Sequence, residues 1–171
     1  MRIAAAGLLC GISLLACGKT DTSSDDHAPL LAFDTARVRL LTTKDTIPLI
    51  VELATKPEQH TMGLMERKHL PDSAGMLFLY DATQPDSSAY WMYRTLIPLD
   101  IAYIDSAGTI RSIRHMEPCH TMLAQGCPTY PAGAPFRAAL EVNAGYFARH
   151  SVTLGDRVLL ADTTQRLRRT S

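Results

Sequence analysis

The sequence predicts a mainly β protein: one compact β-sandwich or barrel-like domain carrying one or two short helices, with an α+β arrangement as the alternative. Three observations carry this expectation. Roughly seven to nine stretches are apolar or alternating over the length of a strand, Gly, Pro and Asp clusters separate them, and only two stretches open with a helix start signal. At 171 residues with 46% hydrophobic side chains, the chain is long enough for one domain with a real core.

Arg37 to Leu41 alternates and Ile47 to Leu53 is β-rich, and Thr43-Lys44-Asp45 between them reads as a hairpin turn. Thr55 is the expected N-cap of a short helix reaching about Met65, with Pro57 near its first turn and Glu58 against the positive end of its dipole. Met62 and Met65, three apart, are expected to face the core. Gly75 to Tyr80 is a continuous apolar run between Ser73 and Asp81, the pattern of a buried strand, and Asp81 to Ser88 reads as a turn region. Ala89 to Arg94 forms the strand that carries the chain's single Trp, and Pro98 then interrupts pairing and re-aims the backbone.

The clearest hairpin joins Ile101–Asp105 to Thr109–Arg114 through Ser106-Ala107-Gly108, where Gly108 suits a positive φ. Pairing Asp105 with Thr109 sets Ile104 opposite Ile110, Ile101 opposite Ile113 and Asp100 opposite Arg114. An Asp100–His115 pair therefore requires a bulge that shifts one strand by a residue. Pro118 to Pro135 is a long loop rich in Gly and Pro, Phe136 to Val142 is a further strand, and Asn143 is expected to cap a short helix through Arg149. A Gly155-Asp156 turn precedes a last strand inside residues 152–161.

Charge is balanced, 17 basic against 17 acidic residues, so composition gives no case for a nucleic-acid binder. Only the tail, residues 162–171 with Arg166, Arg168 and Arg169, is locally basic, and it reads as a solvated end.

Residues 1–16 read as an export signal: Met1-Arg2 gives a positive start, Ile3 to Ala16 is apolar, and no stop-transfer span follows. Leu14-Leu15-Ala16-Cys17 looks like a bacterial lipobox, with Cys17 as the lipid-accepting residue and residues 17–35 as a polar tether before a globular domain at 36–161. Each buried methylene of such an anchor is worth about 0.8 kcal/mol, so several chains hold firmly. In a Gram-negative source, Gly18 after the Cys resembles the pattern of lipoproteins sorted to the outer membrane, and the domain is then expected in the cell envelope facing the periplasm. Once Cys10 has left with the signal and Cys17 is lipidated, Cys119 and Cys127 remain, and in an oxidising compartment they are expected to form a disulfide. A metal site from His115, Cys119, His120 and Cys127 is the weaker alternative, because the seven-residue gap lacks the tight Cys spacing of structural zinc.

Six residues border any site: Trp91, Met92, Thr95, Asp100, His115 and Glu117. Trp91 and Met92 are expected in the core before they are expected on a ligand, and Asp100 is expected to fix a loop through backbone bonds. His115 and Glu117, two apart, share one face at a strand end leading into the long loop. Several motifs stand in a fixed order here: Gly63-Leu64-Met65, Gly75-Met76-Leu77-Phe78, Trp91-Met92-x-x-Thr95-x-x-Pro98-Leu99-Asp100, and Leu140-Glu141-x-Asn143-Ala144-Gly145. In order and spacing they resemble the Domain of Unknown Function 192 family over about residues 36–161. The resemblance implies a compact β domain and names no activity. Members typically carry Lys-Asn after the Trp-Met pair; Tyr93-Arg94 stands here instead, so a role resting on an amide at that point does not carry over.

No Gly-x-Ser-x-Gly, His-Glu-x-x-His or phosphate loop is present. The functional expectation is therefore an envelope lipoprotein acting as a binding or accessory module, its partner a small molecule or an envelope protein, with no cofactor. Two alternatives stay open. One is an envelope hydrolase using His115 as general base, oriented by Glu117 or Asp100. The other is a copper(I) protein using the triplets His60-Thr61-Met62 and His120-Thr121-Met122.

Overall fold

Alternation along the strands sorts the apolar side chains onto two faces, and both faces turn out to be covered. The computed structural model describes residues 31–121 and 123–160. The expected export signal, Cys17, most of the expected tether, Met122 and the basic tail lie outside the described residues. Among the described residues no helix is long and apolar enough to cross a membrane.

The chain forms β1 (Asp34–Leu41), β2 (Thr46–Ala54), α1 (Pro57–Met62), β3 (Ala74–Gln84), β4 (Ala89–Trp91), β5 (Leu99–Ile104), β6 (Ile110–Met116), β7 (Thr129–Pro131), β8 (Phe136–Asn143), α2 (Tyr146–Arg149) and β9 (Arg157–Leu160). Seven strands make one sheet in the order β6-β5-β8-β3-β2-β1-β9, and β4 with β7 makes a separate two-stranded ribbon. All neighbours in the large sheet are antiparallel except β2 and β3, whose parallel pairing requires the crossover that contains α1. The sheet curls until its edges meet at one end: the Val158 N–H donates to the Gly108 carbonyl and the Ile110 N–H to the Asp156 carbonyl, each at 2.8 Å. The barrel-like form of the expected β domain is thus the one adopted.

Every strand of the large sheet contributes to the concave core, including Val38, Leu40, Leu49, Val51, Leu140 and Val142, and Tyr146 and Phe147 of α2 plug it. A second core lies on the convex side, where Met76, Phe78, Ile101, Tyr103 and Ala139 are covered by Leu64, Leu70, Met92 and Met116. Burying each such side chain stabilises the fold by about 1.5–3 kcal/mol. β5 is consequently buried along its whole length. Cys119 and Cys127, in the loop over the convex core, stand at disulfide distance with Cα atoms 5.6 Å apart.

Several local expectations are overturned. Lys56 rather than Thr55 is the N-cap of α1, and the side-chain Oε1 of Gln59 accepts from both the Thr55 and Lys56 N–H groups. The helix stops at Met62, because Gly63 at φ +48° turns the chain. Met62 is therefore 42% exposed and Leu64 takes the core position, so the three-residue spacing of Met62 and Met65 misleads. β3 runs on through Asp81 to Gln84, where a turn was expected. Asn143 does not cap α2; it donates to the Leu70 carbonyl at 2.8 Å, and Gly145 at φ +74° opens the helix instead. The long loop also hides β7, whose three residues are too short to stand out as a periodic run.

Candidate binding site

The β5–β6 hairpin decides the fate of Asp100. Tyr103 pairs with Ser112 and Ile104 with Ile110, so Arg111 is an extra residue and the ladder carries a bulge there. The register beyond it shifts by one: Asp100 lies opposite His115, and Arg114 lies opposite Ile101. The expected Asp100–Arg114 pairing is replaced by an Asp100–His115 hydrogen bond of 2.9 Å at Nδ1, and Nε2 of the same ring meets Glu117 Oε1 at 2.9 Å. The second Asp100 oxygen accepts the Gly145 N–H at 2.8 Å, the loop-fixing bond expected of it. Asp100 is 7% exposed, whereas the His115 side chain is 53% exposed. The hydrogen bond to Asp100, then that to Glu117, holds the His115 imidazole above its ordinary pKa. Carboxylates thus engage both ring nitrogens and favour the imidazolium, so neither nitrogen stands free beside a substrate.

The other face of the sheet carries a different arrangement. Ile101 pairs with Glu141, so Glu141 points to the convex side while Asp100 points to the concave one. Glu141 is 4% exposed and its carboxyl makes no hydrogen bond among the described residues. Burial alone pushes it from the ordinary 4.5 up to about 8. It lies in the wall of a cleft of about 260 Å³, together with His60, Phe78, Tyr80, Tyr90, Trp91 and Thr95.

Each wall has a local cause. Phe78 and Tyr80 alternate along β3 onto the convex side, and Tyr90 comes from the β4 ribbon, edge-on to Phe78 at 5.0 Å. The Tyr80 and Tyr90 hydroxyls bond each other at 2.7 Å, and burial raises both above the ordinary phenol value. His60 stacks on Tyr80 at 4.6 Å and donates Nε2–H to the Ala54 carbonyl at 3.0 Å, which leaves Nδ1 as an acceptor. Gly63 passes so close to Phe78 that an added Cβ would stand 3.4 Å from the ring. Next in sequence to the lining residues Met65 and Thr95, Glu66 and Arg94 both adopt positive φ, the Glu66 N–H donates to the Arg94 carbonyl at 2.8 Å, and their side chains form an ion pair at 2.6 Å. This links the loop after α1 to the loop after β4.

Of the six residues singled out from sequence, Trp91 and Thr95 line this cleft, and Met92 is buried beneath it in the convex core. Trp91 itself is 41% exposed, a correction to its expected burial: β4 belongs to the outlying ribbon, so alternation turns Trp91 outward and Met92 inward. Asp100, His115 and Glu117 come together apart from the cleft, and His115 is not among its lining residues. Glu141, Tyr80 and Tyr90 were not singled out as site residues from the sequence, and His60 was read only as a copper(I) ligand. The available signal was a single acid flanked by Leu140 and Val142 in a strand otherwise suited to burial. Met76 and Met116 pack in the convex core as ordinary apolar residues. Among the described residues no three His, Cys, Asp or Glu side chains converge as a metal site.

A curled seven-stranded β domain with a buried, unpaired acid in an aromatic cleft is the class that fold and site define. The chain belongs to the DUF192 family, described as an uncharacterised ACR, whose model matches residues 39–160. A protein of Sinorhizobium meliloti 1021, provisionally named a transcription regulator, has a similar crystal structure with TM-score 0.69 and 37% identity, covering 77% of this chain and 98% of that one. A protein of unknown function from Novosphingobium aromaticivorans DSM 12444 is similar with TM-score 0.67 and 31% identity, covering 77% of this chain and 89% of that one. No curated protein matches the chain.

Proposed function

We propose that the domain is a ligand-binding module whose ligand places its head group in the cleft over Glu141, with Tyr80 and Tyr90 as walls and Trp91 at the rim. The observation that carries this reading is the Glu141 carboxyl: nearly buried, without a partner among the described residues, yet bordering an open cleft. A buried polar group that lacks a partner costs stability, and such a group facing a cavity is accounted for when a ligand supplies the missing bond. At about 260 Å³ the cleft is smaller than the roughly 300–1,000 Å³ of sites for drug-sized ligands, which favours a compact head group.

Hydrolysis is the less favoured reading. Among the described residues Glu141 is the single carboxyl lining the cleft, whereas paired-acid chemistry needs a second one roughly 5–10 Å away. His115, the other candidate base, has both nitrogens engaged by carboxylates. The export signal and the lipobox at Cys17 support an envelope location, so we place the module on a lipid anchor at the periplasmic side of a bacterial outer membrane.

The test is a small-molecule screen read by thermal shift and by the fluorescence of Trp91, the chain's single Trp. Ligands that stabilise the protein and perturb Trp91, and that lose both effects in Glu141→Gln, are the expected result. A ligand that stabilises the Glu141→Gln variant equally would place binding elsewhere and remove the proposal.

A further inference from the structure

We infer that the head group this cleft accepts is a small organic cation, an ammonium seated on Glu141 and flanked by the rings of Tyr80, Tyr90 and Trp91. This rests on the binding reading above and narrows it to one ligand chemistry.

The lining residues decide the sign of the ligand's charge. Among the described residues they include one carboxyl and no Lys or Arg, so an anion would meet an acid and find no counter-charge. Tyr80, Tyr90, Trp91 and Phe78 present aromatic rings, whose electron-rich faces attract cations and are the usual surroundings of ammonium groups in recognition sites. A divalent metal ion needs several oxygen ligands, and no second acid lines the cleft to supply them. A neutral polyol would find hydrogen-bonding capacity left on the Tyr80–Tyr90 pair and on His60, but it brings no positive charge to the acid. One buried acid among aromatic side chains makes an ammonium the complementary group.

Binding is then coupled to proton release. Glu141 is protonated over most of the neutral range, and an ammonium is held by the ionised carboxylate, so the cation displaces a proton to solvent. Affinity rises with pH up to about 8 and falls below it. Since only the ionised fraction is competent, the apparent affinity at about pH 6 is lower than at about pH 8 by about fifty-fold. The other titratable groups around the acid are His60 from α1, Tyr80 from β3, Tyr90 from β4 and Tyr103 from β5, with Arg114 of β6 facing the Tyr103 hydroxyl. His60 is the second ionisable group in the cleft wall besides the acid and the phenols, so His60→Gln separates its contribution from that of Glu141. That variant keeps the pH dependence if Glu141 causes it.

The experiment titrates the full-length protein with choline, with ethanolamine, and with the uncharged carbon isostere of choline, by calorimetry and Trp91 fluorescence at about pH 6 and pH 8. The expected result is binding of at least one cation, ten-fold or more tighter than the isostere, with proton uptake by the buffer. Glu141→Gln abolishes the preference, and Trp91→Leu, at a partly exposed position and read by calorimetry, weakens cation binding several-fold. Vesicles of phosphatidylethanolamine against phosphatidylglycerol then separate a lipid head group from a free amine as the source. Equal affinity for choline and its isostere, both lost on mutation of the cleft, overturns the cation while leaving the binding module standing. Failure of both cations while an unrelated ligand binds over Glu141 has the same meaning. A protein for which no ligand of any charge perturbs Trp91 loses both readings.

Discussion

Asp100 and Glu141 sit on neighbouring strands one residue apart in register, both nearly buried, and are treated in opposite ways by the structure around them. Asp100 is satisfied twice, by the Gly145 amide and the His115 imidazole. Glu141 is satisfied by nothing among the described residues and is driven toward its neutral form. The first carboxylate fixes structure: it ties the start of α2 to β5 and pins the end of β6. The second is left incomplete in a cleft. Burial alone does not mark a functional acid; burial without a partner, beside open space, does.

The largest expected effect falls on Glu141. Its folded-state pKa lies above the unfolded value near 4.5, so its full contribution to stability is present below about pH 4.5 and is lost as pH rises through about 8. The accumulated loss is on the order of 4–5 kcal/mol. Glu141→Gln removes that loss. Urea denaturation at about pH 9 should find the variant more stable than the parent by several kcal/mol, and at about pH 4 the two should coincide.

Asp100→Ala should act with the opposite sign, destabilising by about 3 kcal/mol at neutral pH because the Gly145 N–H and the His115 ring lose their partner together. Equal stability of variant and parent would show that α2 does not depend on this tie. Reduction of the Cys119–Cys127 pair should cost about 2.5 kcal/mol, from the loop-closure entropy of a nine-residue ring, and thermal melts with and without reductant measure it. The smallest effect belongs to His115, which is half-exposed. Its raised pKa means that the contribution of its ion pairs is present below the ordinary His value near 6.5 and is lost as pH rises through the folded one. Proton NMR should place the His115 titration above the ordinary value, and Asp100→Asn should lower it.

Most of the strands were legible because alternation and turn residues are local properties, and β1, β2, β5, β6 and β8 lie where those patterns put them. The β4–β7 ribbon was not, since a three-residue pairing leaves no period to detect. Half of the Asp100 arrangement could be read in advance: the sequence requires a bulge for an Asp100–His115 pair, but nothing about Arg111 distinguishes a bulged residue from an ordinary outward-facing one. The helix after β2 misled because Gly63 ends it early, and so Met62 leaves the core. Glu141 was missed for a tertiary reason. Alternation puts it on the face opposite Leu140 and Val142, but only the folded chain reveals that the convex face is itself covered, by residues brought from α1, β4 and the loop after them.

The ionisation of Glu141 in the intact protein tests the central claim most directly. Carbon-detected NMR of its carboxyl across the pH range should find a titration near 8 in the free protein, displaced downward when choline is bound. A carboxyl that titrates near its ordinary 4.5, unmoved by any cation, would mean that Glu141 is solvated or already paired, and the cleft would lose its claim to be a binding site.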